Sequence, residues 1–401
     1  MKNDNRSIGL WVIITTITVS VIGFTQMGGG FGVEYSLVSG VAVAGWFSTL
    51  SKPAARLSAF IGHYVLSIVC LLVLSTFRYT SHYGDFVYTH YAPLFGRSFV
   101  NNPSNWFLIQ VCLPVSLLLW GGYFLTKRAT IGIFFAWWGL LYCVVEALNQ
   151  FVVEIANGHQ YTHLYYERVF TAMGQFVLGI SGLFQLVKGS IAENHQERSK
   201  PMTSRQINLW SGLFISAGSV YAITLYAQAG PLPVGVIIGS MMGGLVGWRK
   251  TTARHSADPY KAVPLYLLLQ ALFYVHVGEE VLTHFNRSIA LISGHTWPDA
   301  EFDYLITLIG PTVWVYAAYS LWKGQAFGNF ILWFMIVGMI LGEPTHLVVF
   351  PVVRMIREGV AYEYFPGMYT ALFPMIPAIL ALLLILDEHR KRSQQLSLSH
   401  E

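Results

Sequence analysis

Apolar positions in this chain neither alternate nor repeat on a narrow stripe; they come in long blocks separated by short polar joints. Blocks of bilayer-spanning length fall at roughly 8–27, 31–50, 57–79, 104–126, 130–153, 167–188, 206–228, 231–248, 262–285, 302–322, 326–349 and 367–386. A membrane-crossing helix needs about 20 mostly apolar residues, so the pattern predicts about twelve transmembrane helices. The expected fold class is an all-α integral membrane protein. Composition agrees: 54% of residues are hydrophobic and only 11% charged, against about 25% charged in an ordinary soluble domain.

The joints predict an orientation. Lys2 and Arg6, Lys52 and Arg56, Lys127 and Arg128, the stretch from Lys188 to Arg205, Arg249 to Lys261, Lys323, and Arg390 to Arg392 fall on one side. Positively charged short loops stay cytoplasmic, so both termini are expected inside, for instance in a bacterial cytoplasmic membrane. The opposite joints carry Arg78, Arg97, Arg168, Arg287, Arg354 and Arg357 and are rich in Tyr, Trp and His, which suit the outer interface. The first block is too long, and lacks a small-residue cleavage site, to be a removable signal peptide, and is expected to be a permanent anchor. The net charge of +4 resides in the inner joints without a basic block, which excludes nucleic acid as a partner. Cys70, Cys112 and Cys143 lie in apolar blocks without paired spacing, so disulfides and thiolate metal sites are not expected.

The two halves of the chain match along their length. Leu10-Trp11 recurs as Leu209-Trp210, Gln26 and Gly28 as Gln228 and Gly230, Gly45-Trp46 as Gly247-Trp248, Pro114 as Pro311, and Phe170-Thr-Ala as Tyr369-Thr-Ala. The expected organisation is a first six-helix repeat over 1–190, a polar cytoplasmic linker over 191–204, and a second six-helix repeat over 205–401. An even number of crossings per repeat makes the repeats parallel. The most informative match is His82-Tyr-Gly-Asp85-Phe-Val-Tyr-Thr-His90, which aligns without a gap with His276-Val-Gly-Glu279-Glu280-Val-Leu-Thr-His284.

Charged groups are expensive inside a bilayer, at least ~2.5–3.5 kcal/mol near its centre, so carboxylates beside histidines there point to paired or metal-bound ligands. On a helix His276, Glu280 and His284 share a stripe, with Glu279 beside His276. Glu343 and His346, late in the eleventh block, share a face by the same rule, and both clusters belong to the outer half of the membrane. The expected ligands are His276, Glu280, Glu343 and His346, joined by His284, with Glu279 as candidate general base or as the partner that orients a ligand. Imidazole and carboxylate suit a divalent ion, zinc or iron, and the Glu-x-x-His pair resembles half the ligand set of a di-iron bundle.

In the first repeat His82, Asp85, His90 and Glu146 persist, while Phe86 and Asn149 stand where the second repeat has Glu280 and His346. That half is therefore expected to be a degenerate site; His159 and His163, four apart in the following joint, could add ligands. Gly28-Gly29-Gly30 and the run Gly243-Gly244-Leu-Val-Gly247 read as turns and close helix approach, and Tyr364-Phe365-Pro366-Gly367 as the start of the last helix.

The second repeat, from His276-x-x-Glu279-Glu280 through Glu343-x-x-His346 to Tyr364-Phe365-Pro366-Gly367-Met-Tyr-Thr370-Ala371, resembles the HXXEE membrane family. About a quarter of the chain carries the resemblance, and the first repeat departs from it with His82-x-x-Asp85-Phe86. The resemblance implies a multi-helix membrane domain of unsettled activity. The residues themselves point first to a metal-dependent enzyme, a hydrolase, oxidase or isomerase, acting among membrane lipids on a lipophilic small molecule. The same His and Glu could instead act as acid and base without metal. The rivals are a twelve-helix proton- or cation-coupled transporter, whose coupling groups would belong at the midplane, and a non-catalytic subunit of a membrane complex.

Overall fold

The computed structural model describes residues 4–26, 29–49, 57–81, 111–127, 129–156, 164–188 and 200–398. Among them there is helix and no strand, as hydrocarbon demands of a backbone that must satisfy its own hydrogen bonds. Among the described residues nine helices are long and apolar enough to cross a membrane. The chain divides into two compact units, Met1–Gln196 and Glu197–Glu401.

In the first unit the helices are α1 (Asp4–Gln26), α2 (Gly29–Thr49), α3 (Leu57–Thr80), α4 (Leu113–Thr126), α5 (Thr130–Ala156) and α6 (Tyr165–Lys188). Helices α3, α5 and α6 pack on one another around Leu74, Ala147 and Ala172. Arg78 and Arg168, read from the sequence as cations of outer joints, lie instead within α3 and at the start of α6. Both are drawn inward by carboxylates: Arg78 Nη1 meets Glu146 Oε2 at 2.5 Å, and the fully buried Arg168 donates from Nε to Glu154 Oε1 at 2.8 Å.

The second unit contains α7 (Ser204–Ala229), α8 (Pro231–Thr251), α9 (Pro259–Leu282), α10 (Phe285–Ser293), α11 (Asp299–Asp303), a π-helical turn over Tyr304–Ile309, and α12 (Gly310–Trp322). It continues with α13 (Ala326–Val337), a second π-helical turn over Gly338–Gly342, α14 (Pro344–Leu347), α15 (Val349–Glu358) and α16 (Leu372–Leu398). Local chemistry sets the starts. Thr203 and Gln206 form a reciprocal capping box before α7, and Asp258 caps α9 by accepting from Tyr260 N, with Pro259 in the first helical position. The glycine run of α8 acts as its spacing suggested, letting helices approach closely. A Cβ on Gly244 would stand 2.7 Å from the backbone of Phe334, so α8 lies directly on α13.

Two boundaries differ from the hydropathy pattern. The ninth block runs to 285, but α9 ends at Leu282, because His284 takes a left-handed conformation with φ +54° and redirects the chain. The last block starts at 367, but α16 begins at Leu372, leaving 359–371 as a non-helical strap. Pro366 is therefore not in a first helical turn. The short helices α10 and α15 are amphipathic: α10 buries Phe285 and Ile289 and exposes Leu291, and α15 buries Phe350 and Pro351 and exposes Ile356. One-sided helices of this length suit a membrane surface better than a crossing.

Candidate metal centre

Helix α9 delivers His276 and Glu280 from adjacent turns of one face, both buried. The π-helical turn at Gly338–Gly342, followed by Pro344, breaks the run of α13 and delivers Glu343 and His346 to the same place. π-Helical turns inside helices are frequent at functional sites because the extra residue re-aims the side chains beyond it. His276 Nε2 lies 3.7 Å from Glu280 Oε1 and 2.7 Å from Glu343 Oε2, and His346 Nε2 lies 3.4 Å from Glu280 Oε1. Ligand atoms of His276, Glu280 and His346 all lie within 4.8 Å of one another, a buried group that could hold a metal ion.

The hydrogen bonds on the far side of each imidazole decide which nitrogen carries hydrogen. His346 Nδ1 is 2.9 Å from the carbonyl oxygen of Pro366, which can only accept, so Nδ1 donates and Nε2 presents a lone pair. His276 Nδ1 is 3.1 Å from Thr370 Oγ1. That hydroxyl donates its hydrogen to Glu279 Oε2 at 2.5 Å, which leaves it to accept from His276. His276 Nε2 is then also a lone pair, facing an oxygen of Glu343 2.7 Å away. Two acceptors at that separation repel unless a cation or a proton lies between them. Both atoms are buried, and neither has a hydrogen-bond partner. Unsatisfied buried polar atoms are rare and costly, about 1–3 kcal/mol each, and a proton or a bound cation between these two would relieve both.

Glu279 faces away from this centre. Its carboxylate accepts from Tyr364 Oη at 2.7 Å, Tyr369 N at 3.1 Å, Thr370 N at 2.8 Å and Thr370 Oγ1. It anchors the strap to α9 and, through Thr370, sets the orientation of His276. Burial, reinforced by the Glu279 carboxylate it serves, pushes the Tyr364 hydroxyl up to about 12. Gly367 closes the strap over the site with φ +82°, and a Cβ there would meet His346 Nδ1 at 2.5 Å and His276 Cε1 at 3.0 Å. Tyr364, Pro366, Gly367 and Thr370 are the site residues that helix periodicity could not identify, since a strap has none; the signal available was the unusual Tyr-Phe-Pro-Gly run.

His284 does not reach the cluster. The end of α9 turns it outward, where its side chain is 42% exposed and Nδ1 lies 3.8 Å from Asp299 Oδ2. The i, i+4 stripe therefore stops at Glu280. In the first unit, Glu146 is held by Arg78, whose Nη2 also donates to the Glu146 carbonyl at 3.1 Å and whose Nε donates to Gln150 Oε1 at 2.8 Å. Asn149 donates to Glu34 Oε1 at 3.2 Å. A guanidinium thus neutralises the first-unit carboxylate. His82, Asp85, His90, His159 and His163 lie outside the described residues.

Glu280, Glu343 and His346 line a mostly apolar cavity of the second unit. Aromatic rings dominate the wall. Phe285 and Phe350 flank His346 with ring centroids 4.7 and 5.3 Å away, and Phe273 packs edge-on against Trp314 at 5.2 Å. No known protein family, curated protein or solved structure matches this chain.

Proposed function

We propose that this chain is a metal-dependent integral membrane enzyme that acts on a lipophilic substrate at the outer half of the bilayer, with its working site in the second unit. The observation that carries the reading is the buried group His276, Glu280 and His346, whose ligand atoms lie within 4.8 Å of one another beside Glu343 and a mostly apolar cavity. The same proposal takes the chain as a parallel duplication of six helices, twelve in all, with both termini inside a bacterial cytoplasmic membrane, and as a relative of the HXXEE membrane family.

His276, Glu280 and His346 are the ligands in this reading. Their ligand atoms, within 4.8 Å of one another, are close enough that these three residues could together hold one divalent ion. Two imidazoles and one carboxylate form a ligand set that leaves a position open, as catalytic zinc sites do, and iron accepts the same donors. A bound divalent ion supplies a Lewis acid and an activated water. Glu343 is the proton acceptor facing the cavity, either toward water or toward a substrate hydroxyl. Glu279, with four hydrogen bonds already made, serves as a positioning residue through Thr370.

Metal analysis of the purified protein tests the proposal. The expected result is one equivalent of zinc or iron per chain, lost in His346→Ala and retained in His284→Ala. Protein active in its membrane yet free of stoichiometric metal would overturn it in favour of acid–base chemistry by His276 and Glu343 alone.

A further inference from the structure

We propose that the second-unit cavity selects an uncharged lipid whose terminal oxygen, as an alcohol, aldehyde or ester carbonyl, is presented to the histidine–glutamate cluster. The inference rests on the reading of that cluster as the reacting centre and names the substrate class that its surroundings admit.

Charge carries the first step. Among the described residues lining the cavity there is no lysine or arginine; its charged or titratable members are Glu280, Glu343, His346 and Tyr221. A divalent ion held there is balanced by the two carboxylates, since both imidazoles are neutral. Nothing remains to compensate a phosphate, sulfate or carboxylate head. Burying an unpaired charge in apolar surroundings is among the most expensive things a protein can do. Without the ion, the carboxylates would repel such a head directly. The exclusion of anionic heads thus holds in either state.

The wall supplies the second step. Trp297 and Phe302 pack edge-to-face at 5.0 Å and Phe285 lies against Phe302 at 6.0 Å, so the wall is mostly hydrocarbon and ring, with Ser240 and Tyr221 among its few polar members. Trp297 adds a buried indole N–H with no hydrogen-bond partner, a neutral donor suited to a neutral oxygen.

Photo-crosslinking tests the proposal. The purified metal-loaded protein, in phosphatidylcholine nanodiscs, is labelled with a diazirine-bearing long-chain alcohol, and the labelled peptides are identified by mass spectrometry. Unlabelled hexadecanol and hexadecyl phosphate are compared as competitors, since they share a chain and differ only in the head. Labelling of the segment from Phe334 to Met339 should be competed by hexadecanol, and at least about tenfold less effectively by hexadecyl phosphate. It should vanish in Ile306→Trp, which fills the cavity without touching a ligand and should leave metal content unchanged. Equal or better competition by the phosphate, or labelling there that neither compound displaces, overturns the inference. Metal content, measured on the same samples, separates the two readings. Metal-free protein that still prefers the alcohol removes the proposed metal and leaves the substrate class standing, whereas metal-loaded protein that prefers the phosphate does the reverse.

Discussion

Gly367 and Thr370 show how single residues outside the ligand set control it. Gly367 combines a backbone conformation that side chains rarely adopt with contact distance to both imidazoles, so Gly367→Ala meets strain and collision together. Strain of this kind alone costs about 1–3 kcal/mol. The variant should lose bound metal and melt earlier, as measured by metal analysis and thermal unfolding on one preparation. Thr370 is the link between Glu279 and His276, and outer partners of metal-bound histidines are worth about 10–100-fold in affinity. Thr370→Val should weaken metal binding by roughly that factor in chelator competition, while Thr370→Ser should retain it. If valine binds metal as tightly as threonine, the hydroxyl does not orient the ring. The Tyr364 hydroxyl, pushed up to about 12 by burial and by Glu279, keeps its proton and continues to donate across neutral and moderately alkaline pH. Its share in anchoring the strap is therefore present from neutral pH and lost only as pH rises through that value. Metal retention should be flat with alkaline pH until tyrosine ionisation sets in, followed by ultraviolet absorbance.

At the scale of elements, α9 and the strap work as one unit because Glu279 ties them. Glu279→Gln replaces an acceptor of four hydrogen bonds with a group that has a single acceptor oxygen, and should free the strap before it unfolds α9. Limited proteolysis within 359–371 should then quicken while the far-ultraviolet helix signal persists. In the first unit, α3 and α5 are joined by the Arg78–Glu146 pair, whose side chains are 13% and 9% exposed. Removing one partner of a buried pair leaves an uncompensated charge and typically costs about 3–5 kcal/mol, whereas replacing both with apolar residues is often neutral. Arg78→Leu should therefore destabilise the protein strongly, and the double variant Arg78→Leu with Glu146→Leu should recover most of the loss in thermal unfolding.

For the whole molecule, apolar blocks were sufficient to read a helical membrane protein, because crossing hydrocarbon requires about 20 apolar residues in a self-satisfied backbone whatever the neighbours do. The chemistry-bearing residues of the second unit were visible for the same reason: His276, Glu280, Glu343 and His346 stand out against hydrocarbon, and helical spacing places each pair on one face. Spacing could not foresee where a face ends. Only the tertiary structure separated His284 from the stripe, through one left-handed residue, and showed Glu279, expected as a base or as the partner that orients a ligand, bonded to the strap and through Thr370 to His276. It also supplied Arg78 as the partner of Glu146 and brought Gly367 against two imidazoles, contacts between residues far apart in the chain. Local pattern determines which segments enter the membrane and which residues are too costly to lie there unpaired. The choice of partner for each is a matter of packing between elements, which the order of residues along one helix does not contain.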